Sequence, residues 1–262
     1  MPVSLNQILA STREQLPSLR SRRGALERAA AAAPPPLSLR QALRGSTVAV
    51  IAEVKRRSPS AGTIREDLDP ARHAAAYADA GAAAISVLTD GPFFGGSLGD
   101  LHAVAERVDV PVLRKDFILD ELQVLEARAA GGSAVLLIVR ALEPSRLRDL
   151  LRFVVDVGLE SLVEIHTAAE LDIALGAGAD IVGVNSRDLD TFTIDTVGAW
   201  KLVRTLPAEV TAVAESGMAS VGDVAAAADV GADAVLIGTA LSAATDPGRL
   251  LSDLIRVPRR AR

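Results

Sequence analysis

The sequence predicts a single α/β domain. It is a closed (β/α)₈ barrel of the TIM type over residues 47–262, with a helical extension and connection over residues 1–46. Three observations predict it. Eight short apolar runs rich in β-branched residues alternate with longer Ala-rich segments that carry charge at helical intervals. Four of those runs are introduced by the same glycine-bearing join. Polar and charged residues gather at the C-terminal ends of the runs, the end where such barrels place function.

In chain order, Leu5, Ile8 and Leu9 fall at helical spacing, and Leu16 and Leu19 continue a patchy apolar face past Pro17. The Ala29 to Ala33 run followed by Pro34, Pro35 and Pro36 ends this helical extension and leads into the main body. The eight runs are TVAVIAEV, AAISVL, VPVLRKD, SAVLLIVR, SLVEIH, DIVGVNS, VTAVAES and DAVLIG. Joins around Gly81, Gly131, Gly178 and Gly231 supply the left-handed cap that ends a helix just before the next strand. Strands buried on both faces and separated by helices make a parallel sheet. A doubly wound open sheet is the competing architecture. It calls for fewer strands and a G-x-G-x-x-G turn after the first, where this chain has RRSPSAG.

Composition narrows the function. Hydrophobic residues make up 49% of the chain but aromatic ones only 3%, so the core is built from Ala, Val, Leu and Ile. With no cysteine, disulfides, thiolate nucleophiles and Cys-type zinc sites are excluded. The net charge of -5 opposes non-specific binding of nucleic acid, so an anionic ligand must be held by local groups. No stretch approaches the roughly 20 apolar residues of a membrane span. The expectation is a cytoplasmic protein, monomeric or weakly homo-oligomeric, without a membrane or nucleic-acid partner.

The strand ends hold the chemistry. Strand one ends in Glu53 and Lys55, strand three in Lys115 and Asp116, and strand five in Glu164 and His166. Strand six ends in Asn185, Arg187 and Asp188, and strand seven in Glu215 and Ser216. Residues two apart on a strand face the same way, so Glu53 and Lys55 project together into the mouth, and so do Asn185 and Arg187 if the strand runs that far. A charged strand end taken alone is more often a solvated edge. Five ends behaving alike argue for a site. Two lysines and three glutamates in a low-dielectric mouth push pKa values apart, which suits proton transfer on a small ligand. Lys115, sharing the site with Lys55, is expected to have its pKa lowered. Arg56 and Arg57 are expected to begin a solvated loop, with Ser58 to Gly62 as a mobile rim.

Ser216 and Gly217 after strand seven, and Gly238 and Thr239 after strand eight, form turns whose N–H groups suit an anion, where barrels often hold phosphate. Glycine at such turns is also common for conformational reasons alone. His73, His102 and His166 lack metal-ligand spacing, and a strand-terminal hydrogen bond is expected for His166.

With these residues in view, the chain resembles the indole-3-glycerol phosphate synthase family. The matching stretches are IAEVKRRSPSAG, TDGPFFGGSLGDL, PVLRKDFI, VLLIVRAL, LVEIHT, GVNSRDLDTF, VAESGM and AVLIGTAL, in family order from residue 51 to 241. The resemblance implies ring closure of 1-(2-carboxyphenylamino)-1-deoxyribulose 5-phosphate with loss of CO₂ and water, and neither cofactor nor metal. It implies Lys115 as the general acid on the substrate ketone, with Glu164 and Glu53 in the later proton transfers. Lys55, Ser216, Gly217, Gly238 and Thr239 would hold phosphate. Asn185, Arg187 and Glu215 would position the polar middle and the carboxylate. Pro59, Phe94, Phe117, Leu136, Ile138 and Leu189 would hold the anthranilate ring, although each of the six taken singly is more often plain core. Ala61 stands where many members carry Lys, and Thr239 where Ser or Glu is frequent. A phosphoribosylanthranilate isomerase-like barrel and a non-catalytic phosphate binder are the alternatives. The former would not need EVKRRSPS at strand one together with LRKDF at strand three, and the latter has no use for Glu53, Lys115 and Glu164 together.

Overall fold

Each predicted apolar run folds as a strand. The computed structural model describes residues 3–59 and 62–262; Ala61, singled out above, lies outside the described residues. The strands are β1 (Ala49–Val54), β2 (Ala84–Leu88), β3 (Val112–Lys115), β4 (Ala134–Ile138), β5 (Glu160–Ile165), β6 (Ile181–Asn185), β7 (Thr211–Glu215) and β8 (Ala234–Ile237). Each pairs in parallel with its sequence neighbours, and β1 pairs with β8 as well as β2, which closes the barrel. The open-sheet alternative is thereby excluded.

The helix-to-strand joins form as glycine chemistry requires. Gly81, Gly131, Gly178 and Gly231 have φ of 98°, 84°, 93° and 87°, a region that side chains with a Cβ rarely enter. Gly158, at φ 79°, does the same before β5, a fifth join that its plainer surroundings concealed. At the opposite ends, Asp69, Asp120, Thr167 and Ser220 accept N–H groups of the first turn and start helices Pro70–Asp79, Glu121–Ala129, Ala168–Ala177 and Val221–Asp229.

Two apolar layers result. Alternate strand residues such as Val50, Val135, Val163 and Val182 pack outward against the helices. The opposite set, including Ile51, Leu113, Leu162 and Val213, fills the barrel. The extension consists of helix Leu5–Ser21, which continues through Pro17, and helix Arg23–Ala32. Leu5, Ile8 and Leu9 join the barrel's own apolar cluster, while Leu16, Leu19, Leu26 and Ala30 pack on Leu122 and Leu125. Among the described residues, no helix is long and apolar enough to cross a membrane.

Candidate active site

The ladder brings the charged strand ends together. Register pairs Glu53 with Ser86, Glu164 with Gly183, and Asn185 with Glu215. From β3, the Lys115 ammonium lies 3.1 Å from Glu164 Oε2 and 3.4 Å from Glu215 Oε2. The side chains of Glu164 and Glu215 are only 1% and 2% exposed, so this is a desolvated cluster rather than a rim. Beside it, Lys55 Nζ lies 2.9 Å from Glu53 Oε1.

Two glycines make these contacts possible. A Cβ on Gly183 would overlap Glu215 Oε1, and one on Gly238 would overlap Glu53 Oε1 and crowd Lys55 Nζ. Gly238 therefore has a packing reason in the charged cluster, besides its place at the turn.

The three charged groups nearest the center of the mouth differ in charge. Burial pushes the Glu215 carboxyl up, Lys115 opposes, and the neighbouring Glu164 and Glu53 add to the rise, leaving it at about 8. Burial also disfavours the Glu164 anion, but Lys115 and His166 outweigh it and hold this carboxyl below its usual range. At Lys115, desolvation pulls the ammonium down and is overcome by Glu164, Glu215 and Glu53, so its pKa is raised. This reverses the expected lowering. The lysine answers to three carboxyls around it more than to Lys55. One lysine thus sits between two carboxyls that the site drives apart, Glu164 toward its anion and Glu215 toward its acid.

All seventeen residues named from the sequence line one cavity of about 490 Å³ at this mouth. Its apolar part includes Pro59, Leu136, Ile138 and Leu189, with Phe94 and Phe117 in tilted contact at 6.2 Å between ring centers. Phe117 is fixed by its own N–H, which donates to Asp116 Oδ1 at 2.8 Å. Asp116 is held in turn by Arg114 at 3.0 Å and by the Thr89 hydroxyl. Its other part carries Ser216 and Gly217, both left-handed at φ 66° and 76°, with Gly238 and Thr239 alongside. Phe192, Ile194 and Met218 also line the cavity. The sequence reading missed them. For the first two, the faint signal was the DTFTI stretch following GVNSRDL.

Other expectations are corrected. Arg56 does not enter a solvated loop: it donates to both carboxylate oxygens of Asp100, at 2.7 and 3.0 Å, and to the Gly95 and Leu68 carbonyls. Arg57 donates to the Gly91 and Pro92 carbonyls at 2.8 Å. Both arginines tie the loop after β1 to the loop after β2. Strand conformation stops at Asn185, whose Oδ1 accepts the Arg187 N–H at 3.0 Å. Arg187 reaches the cavity from that turn, with its guanidinium on the Phe192 carbonyl. The expected strand-terminal hydrogen bond of His166 is made by its backbone N–H, which donates to Glu170 Oε2 at 2.6 Å, while the ring Nδ1 lies 3.5 Å from the same oxygen.

Comparison with known proteins places this arrangement in context. Residues 5–254 match the family model described as indole-3-glycerol phosphate synthase. The indole-3-glycerol phosphate synthase of Mycobacterium avium is 50% identical over 230 residues, covering 88% of this chain and 85% of that protein. That of Chlorobium phaeovibrioides is 50% identical over 202 residues, covering 77% and 78%. Among solved structures, 3-hexulose-6-phosphate synthase superimposes with a TM-score of 0.64 at 17% identity, covering 79% of this chain and 98% of that one. Thiamine phosphate pyrophosphorylase from Pyrococcus furiosus gives 0.59 at 17% identity, covering 81% and 95%. These two likenesses concern the barrel alone. The sequence matches, which span the strand ends and loops that build the mouth, carry more: the chain belongs to the indole-3-glycerol phosphate synthase family.

Proposed function

We propose that the chain catalyses ring closure of 1-(2-carboxyphenylamino)-1-deoxyribulose 5-phosphate to indole-3-glycerol phosphate, with loss of CO₂ and water. The observation that carries this reading is the buried contact of one ammonium, Lys115, with two carboxyls, Glu164 at 3.1 Å and Glu215 at 3.4 Å, whose surroundings push them in opposite directions. The reaction needs donors and an acceptor at once. As the ring carbon bonds to the ketone carbon, the ketone oxygen takes a proton, and Lys115 has one to give. Departure of CO₂ leaves its bonding electrons in the ring and restores aromaticity. The new hydroxyl then takes a second proton and leaves as water, while the methylene carbon beside the nitrogen gives up one. Two protons enter and one leaves.

Glu164 has the charge state of the base that removes the carbon-bound proton. Glu53, paired with Lys55, fits the hydroxyl end of the later transfers. Glu215 can donate a hydrogen bond to a substrate oxygen because burial keeps it protonated. Phosphate fits against Lys55, Ser216, Gly217, Gly238 and Thr239, and the carboxylate against Arg187 and Asn185. The aryl ring fits the Phe94, Phe117, Leu136 and Ile138 wall, with Pro59 and Leu189 at its edge. No cofactor or metal enters this reading.

We take residues 1–262 as one domain, because Leu5, Ile8 and Leu9 share the barrel's apolar cluster. We take the enzyme to be cytoplasmic and to work as a monomer or weak homo-oligomer, since every proposed site residue comes from one chain. The test is direct. Purified protein is mixed with the carboxyphenylamino-deoxyribulose phosphate, and indole fluorescence is followed. Steady product formation is expected; no product over hours at micromolar enzyme would overturn the assignment.

A further inference from the structure

Glu164 spends one carboxylate oxygen on Lys115, while its other oxygen, Oε1, is buried and makes no well-formed hydrogen bond among the described residues, with the Asn185 side chain beside the carboxyl. The imidazole of His166 faces that oxygen, with Nε2 at 3.7 Å. Its second ring nitrogen, Nδ1, lies 3.5 Å from Glu170 Oε2. The His166 side chain is only 5% exposed, and among the described residues neither ring nitrogen makes a well-formed hydrogen bond, the Nδ1 approach to Glu170 coming nearest to one. A neutral imidazole can donate to one of these carboxylates; an imidazolium can donate to both. The two gaps exceed a hydrogen bond by a few tenths of an ångström, so a small shift of the ring closes them.

The surrounding charges leave a place for that proton. Facing the ring are Glu164 from β5 and Glu170 from helix Ala168–Ala177. Arg140 is already engaged, 3.2 Å from both Glu170 and Asp188. Beyond Glu164 stands Lys115, which is shared with Glu215. His166 also lines a second cavity of about 490 Å³, where Asp188 and Asp195 are balanced by Arg140 and Lys201. Asn185 borders both cavities, whereas His166 lines the second and not the substrate mouth.

We propose that His166 is a positioning residue for Glu164: its protonated ring bridges Glu164 and Glu170 and keeps Glu164 ionised as the pH falls. The inference rests on the reading of Glu164 as the base. A charged imidazole beside a carboxylate opposes that carboxylate's protonation.

The experiment is the pH dependence of kcat for wild type, His166→Gln and Glu170→Gln, with a thermal melt of each. His166→Gln keeps a donor and removes the charge. Its acid limb, where Glu164 gains a proton, is expected to move up by about one pH unit with the plateau retained. Glu170→Gln weakens the imidazolium and is expected to move the limb the same way by less. Limbs that coincide with wild type would overturn the proposal, and so would a uniform fall in kcat at every pH, which is what a merely structural role produces. Should His166→Gln not fold, Glu170→Gln carries the test alone. Glu164→Gln separates the two readings. If it retains turnover, the base is misassigned; if it is inactive while the His166→Gln limb stays put, only the present proposal fails.

Discussion

Gly183 on β6 and Glu215 on β7 share one space: the carboxylate of Glu215 occupies the volume that a side chain at Gly183 would fill. Gly183→Ala is therefore expected to displace Glu215 from Lys115. The cost in stability is about 1–3 kcal/mol, as for an overpacked core, and turnover should fall at least tenfold. A melt and a kcat measurement on the same preparation check this; unchanged values in both would mean that Glu215 has room to spare.

Lys115→Ala removes the proposed acid. Turnover is expected to drop by about two to four orders of magnitude, the usual worth of a positioned proton donor. The change also leaves Glu164 and Glu215 without their shared cation, so Lys115→Met, which fills the volume, is the companion variant. Circular dichroism establishes folding, and near-normal activity in a folded variant would show that the acid lies elsewhere.

Glu215 links stability to pH. In the folded chain it keeps its proton up to about 8, whereas an exposed glutamate ionises near 4.3. Between those values the folded state binds a proton that the unfolded state does not, so this group's contribution to stability falls as pH rises. Glu164 works oppositely: its lowered pKa gives stability that is present above the unfolded value and lost on acidification through the folded value. Glu215→Gln, which needs no proton, is expected to melt close to wild type at pH 5 and higher than wild type at pH 9. Equal melting points at pH 9 would contradict the raised pKa.

Arg56 joins the first loop to the second through its bidentate pair with Asp100. Arg56→Ala is expected to raise KM several-fold, because Lys55, Ser58 and Pro59 ride on the loop it anchors. A double-mutant cycle with Asp100→Ala should return a coupling of about 1–2 kcal/mol, in the range of a hydrogen bond to a charged group. Additive effects would show that the clasp is incidental.

Much of this was legible in the sequence because it depends on local period. Strand alternation and glycine caps fixed the barrel, and one turn of reasoning from strand ends reached Lys115, Glu164 and Glu215. What remained hidden depends on distance in sequence. The sign of the Lys115 shift is set by glutamates on β5 and β7, whose approach to one ammonium no local pattern announces. Arg56 looked like loop because its partner, Asp100, lies in the first turn of helix Leu98–Ala105, beyond the next helix and strand of the chain. Phe192, held at φ 58°, escaped because a left-handed aromatic leaves no mark on hydropathy.

The left-handed pair Ser216 and Gly217 has a consequence for how such a mouth can change. Anion capture by main-chain N–H groups depends on the path of the backbone, so replacing side chains around it leaves the capacity in place. The proton-transfer apparatus is the reverse, since each of Lys115, Glu164 and Glu215 can be lost to a single codon change. On the proposed reading, the backbone share of phosphate recognition and the side chains of reactivity are inherited separately, and a descendant could trade its chemistry while keeping that share of its hold on a phosphorylated ligand.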